Sequence, residues 1–479
     1  MPALFTDFYE LTMAQGYWKK RINRRAVFEM FYRRNPFGGG FSVFAGLQPL
    51  LDNLSSFRFG ADDIDYLRSL KFFDTEFLES LKDFRFSGNL WAQNEGNIVF
   101  PQEPLLRVEG SLIECQLIEG LILNIINFQS LIATKAARVF LAADKGAIME
   151  FGLRRAQGPD GALSASRAAF IGGAIGTSNV EAGKNFGIRV MGTMAHSWVM
   201  AFPSEEEAFR AYAEMYPEHP VFLIDTYDTL KSGIVNAIKV GGEAIKRSGG
   251  NFGVRLDSGD IHYLSCEVRK RLDAAGFPQA TIAVSNDLDE EIITALVDDH
   301  TPVNSWGVGT RMVTGAGDAS FPGVYKLTAR EDEQGHTVAV MKLSDNPEKT
   351  TTPGIKQVFR LKDKNNMALA DAIALDDGVN SEEYHQNKVY TFYHPSADYR
   401  HFRCMLETEP QPLLVKHIEG GAQIQPPLKL ADIRAHCIAE LDSFDPSYKR
   451  ILNPHIYKVS ISQRLRDLKL ELIKKHLGD

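Results

Sequence analysis

The chain has 479 residues, with 53 Lys plus Arg against 61 Asp plus Glu and a formal net charge of −8. That balance speaks against a nucleic-acid binder, which gains affinity by releasing counterions from a basic face. At 44% hydrophobic and 24% charged the composition is globular rather than disordered, and at about 150 residues per domain the length predicts about three domains, or one large barrel with additions.

Met1 to Met13 carries Asp7 and Glu10 and lacks the basic start and apolar centre of an export signal, so a cytoplasmic protein is expected. Four cysteines, Cys115, Cys266, Cys404 and Cys437, stand far apart with no CxxC pair, which suits a reducing compartment and offers no structural zinc site. A helical start is expected over Phe8–Tyr17, followed by strand-like alternation over Val27–Tyr32 and a turn at Gly38-Gly39-Gly40. Phe86–Gly110 reads as further strands between Gly and Pro breaks. A long helix is expected from about Glu114 to Ala142. Its most apolar part, Ile118–Ala133, contains Glu119, Asn124, Asn127 and Gln129, and so reads as a buried helix rather than a membrane span.

From Ala147 onward, short apolar runs alternate with polar clusters and helical periodicity. The runs are Ile148–Leu153, Ile188–Met194, Val221–Ile224, Phe252–Leu256, Thr281–Val284 and Val303–Val308. Ser204 with Glu207 marks a capping box for a helix over Glu205–Tyr216, and Asp287 with Glu290 another for Leu288–Asp298. A third helix lies within Asp257–Gly276. Such βα units predict a parallel sheet, closed into a barrel or opened as a doubly wound sheet. The domains expected are 1–142, an N-terminal α/β domain; 143–330, the βα repeats carrying most of the active site; and 331–479, a C-terminal segment that ends in an amphipathic helix over Gln463–His476.

In βα architectures the reacting groups collect at the C-terminal ends of strands. Here the strand exits carry Arg154 and Arg155, His196, Asp225 and Asp228, Asp257 and Asp260, Asn286 and Asp287, and Gly309 and Thr310. Helix capping accounts for Asp260 and Asp287. Arg154 and Arg255 are rigid forks that either bind carboxylate or phosphate or pair with a neighbouring Asp. His196, placed where a strand should give way to a helix, is a candidate base, acid or nucleophile. Trp306-Gly307-Val308-Gly309-Thr310 could cradle a phosphate with backbone NH groups, although paired glycines also make ordinary turns. The chain has neither a Walker sequence nor a strand-linked GxGxxG. Val221–Thr229 (VFLIDTYDT) only loosely resembles the ribose-contacting acidic motif of the common phosphoribosyltransferases, since Asp225 and Asp228 are not adjacent and no phosphate loop follows.

The carrying segments Thr6–Tyr9 with Thr12-Met13, Phe31–Gly39, Asn127–Arg138, Phe151–Gly158, Gly192–Ser197, Arg255–Asp260 and Gly307–Thr310 together resemble the nicotinate phosphoribosyltransferase family. The resemblance implies an α/β fold with an irregular (β/α) barrel, an N-terminal α/β domain and a C-terminal part, assembled as a homodimer with shared active sites. It implies an ATP-dependent ligase of NAD biosynthesis that joins nicotinate to phosphoribosyl pyrophosphate, with Mg2+ on the polyphosphates and no nucleic-acid or membrane partner. By the same resemblance His196 is the phosphorylated histidine and Asp225 holds its other ring nitrogen. Phe151 and the partner subunit's Tyr9 would sandwich the pyridine ring, which suits a planar ligand. Thr193 and Arg255 match the nicotinate and ribose-phosphate end, Arg154 a phosphate contact, Asp257 a ribose-hydroxyl acceptor, and Gly309 with Thr310 the phosphate loop. Lys326 and Lys356 are further basic candidates. Where the sister enzyme for nicotinamide has an acid, this chain has Ser178, a neutral donor that favours a substrate carboxylate. Two other function classes fit less well: a silent NAD-status sensor has no need of a phosphorylatable histidine, and a barrel aldolase or decarboxylase needs a strand-end Lys or metal triad, neither of which is visible.

Overall fold

In the computed structural model, which describes residues 3–346, 349–376, 382–397 and 399–477, the chain forms two compact units, 1–131 with 320–479, and 132–319. The fold is mixed α/β. The N-terminal and C-terminal thirds, separated in sequence, thus belong to one unit.

In the first unit the strands are β1 (Arg25–Tyr32), β2 (Ser42–Val43), β3 (Asn89–Ala92), β4 (Ile98–Val99) and β5 (Leu106–Ser111). The expected first helix forms over Phe8–Lys19. β1 lies inside a seven-stranded antiparallel sheet, and all its residues after Arg25 are buried, so the alternation read from sequence hides a strand covered on both faces. The expected long helix divides at Ile118 into Leu112–Leu117 and Glu119–Ala142; Ser111 and Glu114 close a reciprocal capping box at its start. The span Leu112–Ala142 is long and apolar enough to cross a membrane, but its most apolar window is 72% buried inside the protein, as a core helix would be.

The second unit holds β6 (Ala147–Glu150), β7 (Gly176–Thr177), β8 (Val221–Leu223), β9 (Gly253–Leu256), β10 (Thr281–Val284) and β11 (Ser305–Val308). All pairs are parallel, in the order β7-β6-β11-β10-β9-β8. Parallel pairing puts every strand exit at one edge. No ladder joins β7 to β8 among the described residues, so the hydrogen-bonded sheet is open between them.

Two local expectations are corrected. Ile188–Met194 is not a strand: it makes one isolated bridge, Thr177 to Val190, and β7 takes its place in the sheet. Gly176 permits the close crossing, since a Cβ there would sit 2.6 Å from Met191 Sδ. The cap of Glu290–Asp298 is Asp289, whose Oδ1 accepts from Glu291 and Ile292 N–H, rather than Asp287. Glu290 faces inward instead, paired with Lys135 at 2.6 Å and Arg138 at 2.9 Å. The other two expected helices form over Glu205–Met215, capped by Ser204, and over Ile261–Ala274, capped by Asp260.

Beyond Ser320 the first unit resumes with β12 (Gly323–Glu331), β13 (Thr337–Ala339), β14 (Lys356–Lys362), β15 (Ala368–Leu375), β16 (Val389–Tyr393), β17 (His401–Met405), β18 (Gln411–Pro412), β19 (Val415–Glu419), β20 (Ala422–Gln423) and β21 (Val459–Ile461). β12 pairs with β1 and β19 with β3, which ties the two ends of the chain together. The C-terminal helix forms over Gln463–Leu477.

Candidate active site

The second unit's sheet edge collects most of the residues singled out from sequence. Arg255, the third residue of β9, is its hub. The Nε donates to Ser285 Oγ at 2.8 Å, one terminal nitrogen to Thr193 Oγ1 at 3.0 Å, and the other to Asp257 Oδ1 at 3.1 Å. Its guanidinium carbon stands 5.6 Å from the centre of the Phe151 ring, within cation–π range. Strand order explains the assembly. β10 neighbours β9 and brings Ser285, while β8 on the other side brings Asp225.

Phe151 follows β6, and its N–H donates to Val308 O of the neighbouring β11 at 2.9 Å. A Cβ on Gly307 would approach the ring to 2.7 Å, so glycine at this position makes room for Phe151. Gly309 and Thr310 follow directly and open a one-turn helix, Thr310–Val313. Behind Phe151, the buried Glu150 carboxylate accepts from Ser166 Oγ at 2.8 Å, and from Thr177 Oγ1 and Gly152 N–H. Glu150 O accepts from Ser178 N–H at 2.9 Å, which fixes the β7 exit beside Phe151.

His196 begins the short helix His196–Met200. Its Nδ1 lies 3.1 Å from Thr226 Oγ1 and its Nε2 3.8 Å from Asp257 Oδ2. Asp225, expected on a histidine ring nitrogen, is turned elsewhere. Its Oδ2 accepts from Asp257 N–H at 2.9 Å and Ser258 Oγ at 2.6 Å, because the adjacent β9 exit presents both donors. The hydroxyl of the next residue, Thr226, takes the ring position. Asp225 Oδ1 is buried without a hydrogen-bond partner among the described residues. Asn286, just past Ser285, takes φ +119°, a strained value for a non-glycine residue.

Four candidates take no part in this hydrogen-bonded cluster. Arg154 is exposed in the turn Leu153–Arg155, with no hydrogen bond or ion pair among the described residues. Tyr9 lies in the first unit, 46% exposed; burial and the neighbouring Glu119 and Glu10 push its phenol pKa up. Lys356 is buried in that unit, 2.8 Å from Glu29 Oε2 and donating to the Thr352 and Gly354 carbonyls. It is a structural cation, not a phosphate contact. Lys326, on β12, lies in the field of Glu119. Sequence reasoning missed Glu150, Thr226, Ser258 and Ser285. An acid closing the apolar run Ala147–Met149 was the one available signal; the hydroxyls look like ordinary loop residues until the strands are adjacent.

Family profiles described as the nicotinate phosphoribosyltransferase N-terminal domain, family and C-terminal domain match residues 4–127, 147–371 and 355–469. The nicotinate phosphoribosyltransferase of Bacillus subtilis is 42% identical over 474 residues, covering 98% of this chain and 95% of that protein. The crystal structure of human nicotinic acid phosphoribosyltransferase superposes with a TM-score of 0.85 at 32% identity, over 98% of this chain and 99% of the other. A nicotinate-nucleotide pyrophosphorylase from Pyrococcus furiosus shares the fold, with a TM-score of 0.72 at 23% identity over 92% and 95% of the two chains.

Proposed function

We propose that this chain, which belongs to the nicotinate phosphoribosyltransferase family, joins nicotinate to phosphoribosyl pyrophosphate and couples the transfer to ATP hydrolysis. The pyridine nitrogen's lone pair forms the bond to the ribosyl C1, and the C1–O bond to pyrophosphate breaks with its electron pair leaving on pyrophosphate. The products are nicotinate mononucleotide and pyrophosphate. One observation carries this reading: a guanidinium held on Thr193, Ser285 and Asp257 lies over the Phe151 ring, a platform for a flat, anionic ring.

In this reading Phe151 covers one face of nicotinate, and Arg255 with Thr193 and Ser178 orients its carboxylate and the ribose phosphate. Asp257 accepts from a ribose hydroxyl, and Gly309 with Thr310 receives phosphate oxygens. Arg154, exposed and unpaired among the described residues, reaches phosphate only once substrate is present. Tyr9 of the partner subunit in a homodimer closes the second face. His196 takes the γ-phosphoryl group of ATP on Nε2, releasing ADP, and water later removes it as phosphate. Thr226 Oγ1, 3.1 Å from Nδ1, can accept that nitrogen's proton and so leave the Nε2 lone pair free to attack.

Mg2+ fits the donors present. It needs only one or two carboxylates when phosphate oxygens complete its shell, and Asp225 offers a buried, unused Oδ1. Bound there, it would neutralise polyphosphate charge. The histidine role is tested with ATP labelled in the γ-phosphate: acid-labile label should enter the wild-type chain and not H196A, and equal labelling of both would remove His196 from the mechanism.

A further inference from the structure

The first unit contains a cavity of about 640 Å³ between the β16–β17 hairpin and the segment entering β21, within the size range of small-molecule sites. None of its lining residues belongs to the second unit, where the Arg255 cluster lies. Its charged lining is cationic, Arg400 and Lys458, joined by the imidazoles of His394, His401 and His455, with no carboxylate among the described lining residues. Neither Arg400 nor Lys458 has an ion-pair partner among the described residues. Two cations without an ion-pair partner among the described residues, of which Lys458 also stands 5.4 Å from the centre of the Phe402 ring, face one cavity and are poised for an anion.

Three further observations point to a ligand. Ser460 lines the cavity, and its hydroxyl makes no hydrogen bond among the described residues, so it is available to a ligand. His394 Nδ1 accepts from Ser396 and Ala397 N–H at 3.1 Å each, so the ring proton sits on Nε2, available as a donor. Burial first, and then Arg400 and Lys469, hold this imidazole below its usual pKa and so favour its neutral form. The remaining walls, including Phe402, Pro454 and the 84% exposed Ile456, are apolar. Inorganic phosphate alone would leave such walls unused.

We infer that this cavity binds a phosphate monoester carrying a planar ring, of the nucleoside monophosphate class, with Arg400, Lys458 and Ser460 on the phosphate and the apolar walls on the ring. The ring is a purine or a pyridine.

Equilibrium dialysis of the full chain against adenosine monophosphate, nicotinate mononucleotide, ribose 5-phosphate and inorganic phosphate tests it. At least one nucleotide should bind about tenfold or more tightly than the two ring-free phosphates, and the tighter nucleotide identifies the ring. R400E/K458E should weaken nucleotide binding at least about tenfold, and S460A about three- to tenfold, each with turnover unchanged; if the double variant does not fold, S460A decides. Binding equal to wild type in every folded variant, or inorganic phosphate binding as tightly as the nucleotides, would overturn the assignment. A chain that binds nucleotide through Arg400 and Lys458 but makes no nicotinate mononucleotide would sink the proposed transfer and leave this site standing.

Discussion

A single guanidinium does most of the organising at the candidate active site. Arg255 contacts a threonine from a loop, a serine from the next strand exit and an aspartate two residues on, and a planar fork with five donors can serve all three at once while lysine cannot. A second residue-scale feature is acidic. Glu10 is buried, and burial, opposed by Thr6 and reinforced by Glu119 and Asp7, raises its pKa to about 7. The folded state therefore holds a proton that the unfolded chain releases at the lower, ordinary carboxylate range. Glu10's contribution to stability is fully present below that range, declines as pH rises, and is lost above about 7. E10Q should raise the unfolding free energy relative to wild type at pH 8, by at most about 3 kcal/mol, and the gain should vanish near pH 4. A gain that does not change with pH would show that the carboxyl is not titrating in this window.

At the scale of elements, the site is a consequence of parallel pairing, which brings residues about thirty positions apart to one edge. Gly307 shows how little tolerance remains there: G307A would place a Cβ 2.7 Å from Phe151. It should cost about 1–3 kcal/mol of stability and raise KM for nicotinate more than KM for phosphoribosyl pyrophosphate; equal rises in steady-state assays would contradict a ring platform at Phe151. The strand exits were legible because an apolar run followed by a polar residue is a local signal, and Arg255, Asp257, Gly309 and Thr310 all lie where that signal placed them. His196 was found although the strand expected before it does not form, because the polar residue stands out whether its approach is strand or loop. What stayed hidden depends on neighbours: Ser285 matters only once β10 lies against β9, and Glu150 only once Thr177 and Ser166 close over it. The choice of Asp289 over Asp287 as a helix cap shifts the helix start by two residues, below what spacing resolves.

At the scale of the whole molecule, a net charge of −8 coexists with local cations that serve opposite ends. Lys135, Arg138 and Lys356 are spent on buried acids, whereas Arg154, Arg400 and Lys458 remain without acid partners among the described residues. Arg360 belongs to the first group: fully buried, it pairs with Asp371 at 2.8 Å and Glu440 at 2.5 Å and donates to Ile98 O at 2.7 Å, joining β14, β15 and the helix Leu430–Asp442 to β4 within the first unit. R360M should cost about 3–5 kcal/mol by leaving two carboxylates unpaired, seen as a lower denaturant midpoint with unchanged activity per folded molecule. An unchanged midpoint would mean the network relaxes without cost. The central claim, that the Arg255 cluster transfers a phosphoribosyl group to nicotinate, is tested most directly by kcat/KM for nicotinate mononucleotide formation from labelled nicotinate, phosphoribosyl pyrophosphate, ATP and Mg2+. Wild type should turn over, and R255K should lose about 100-fold or more, ~3 kcal/mol of transition-state stabilisation. No product from the wild-type chain, or equal rates for the two proteins, would contradict it.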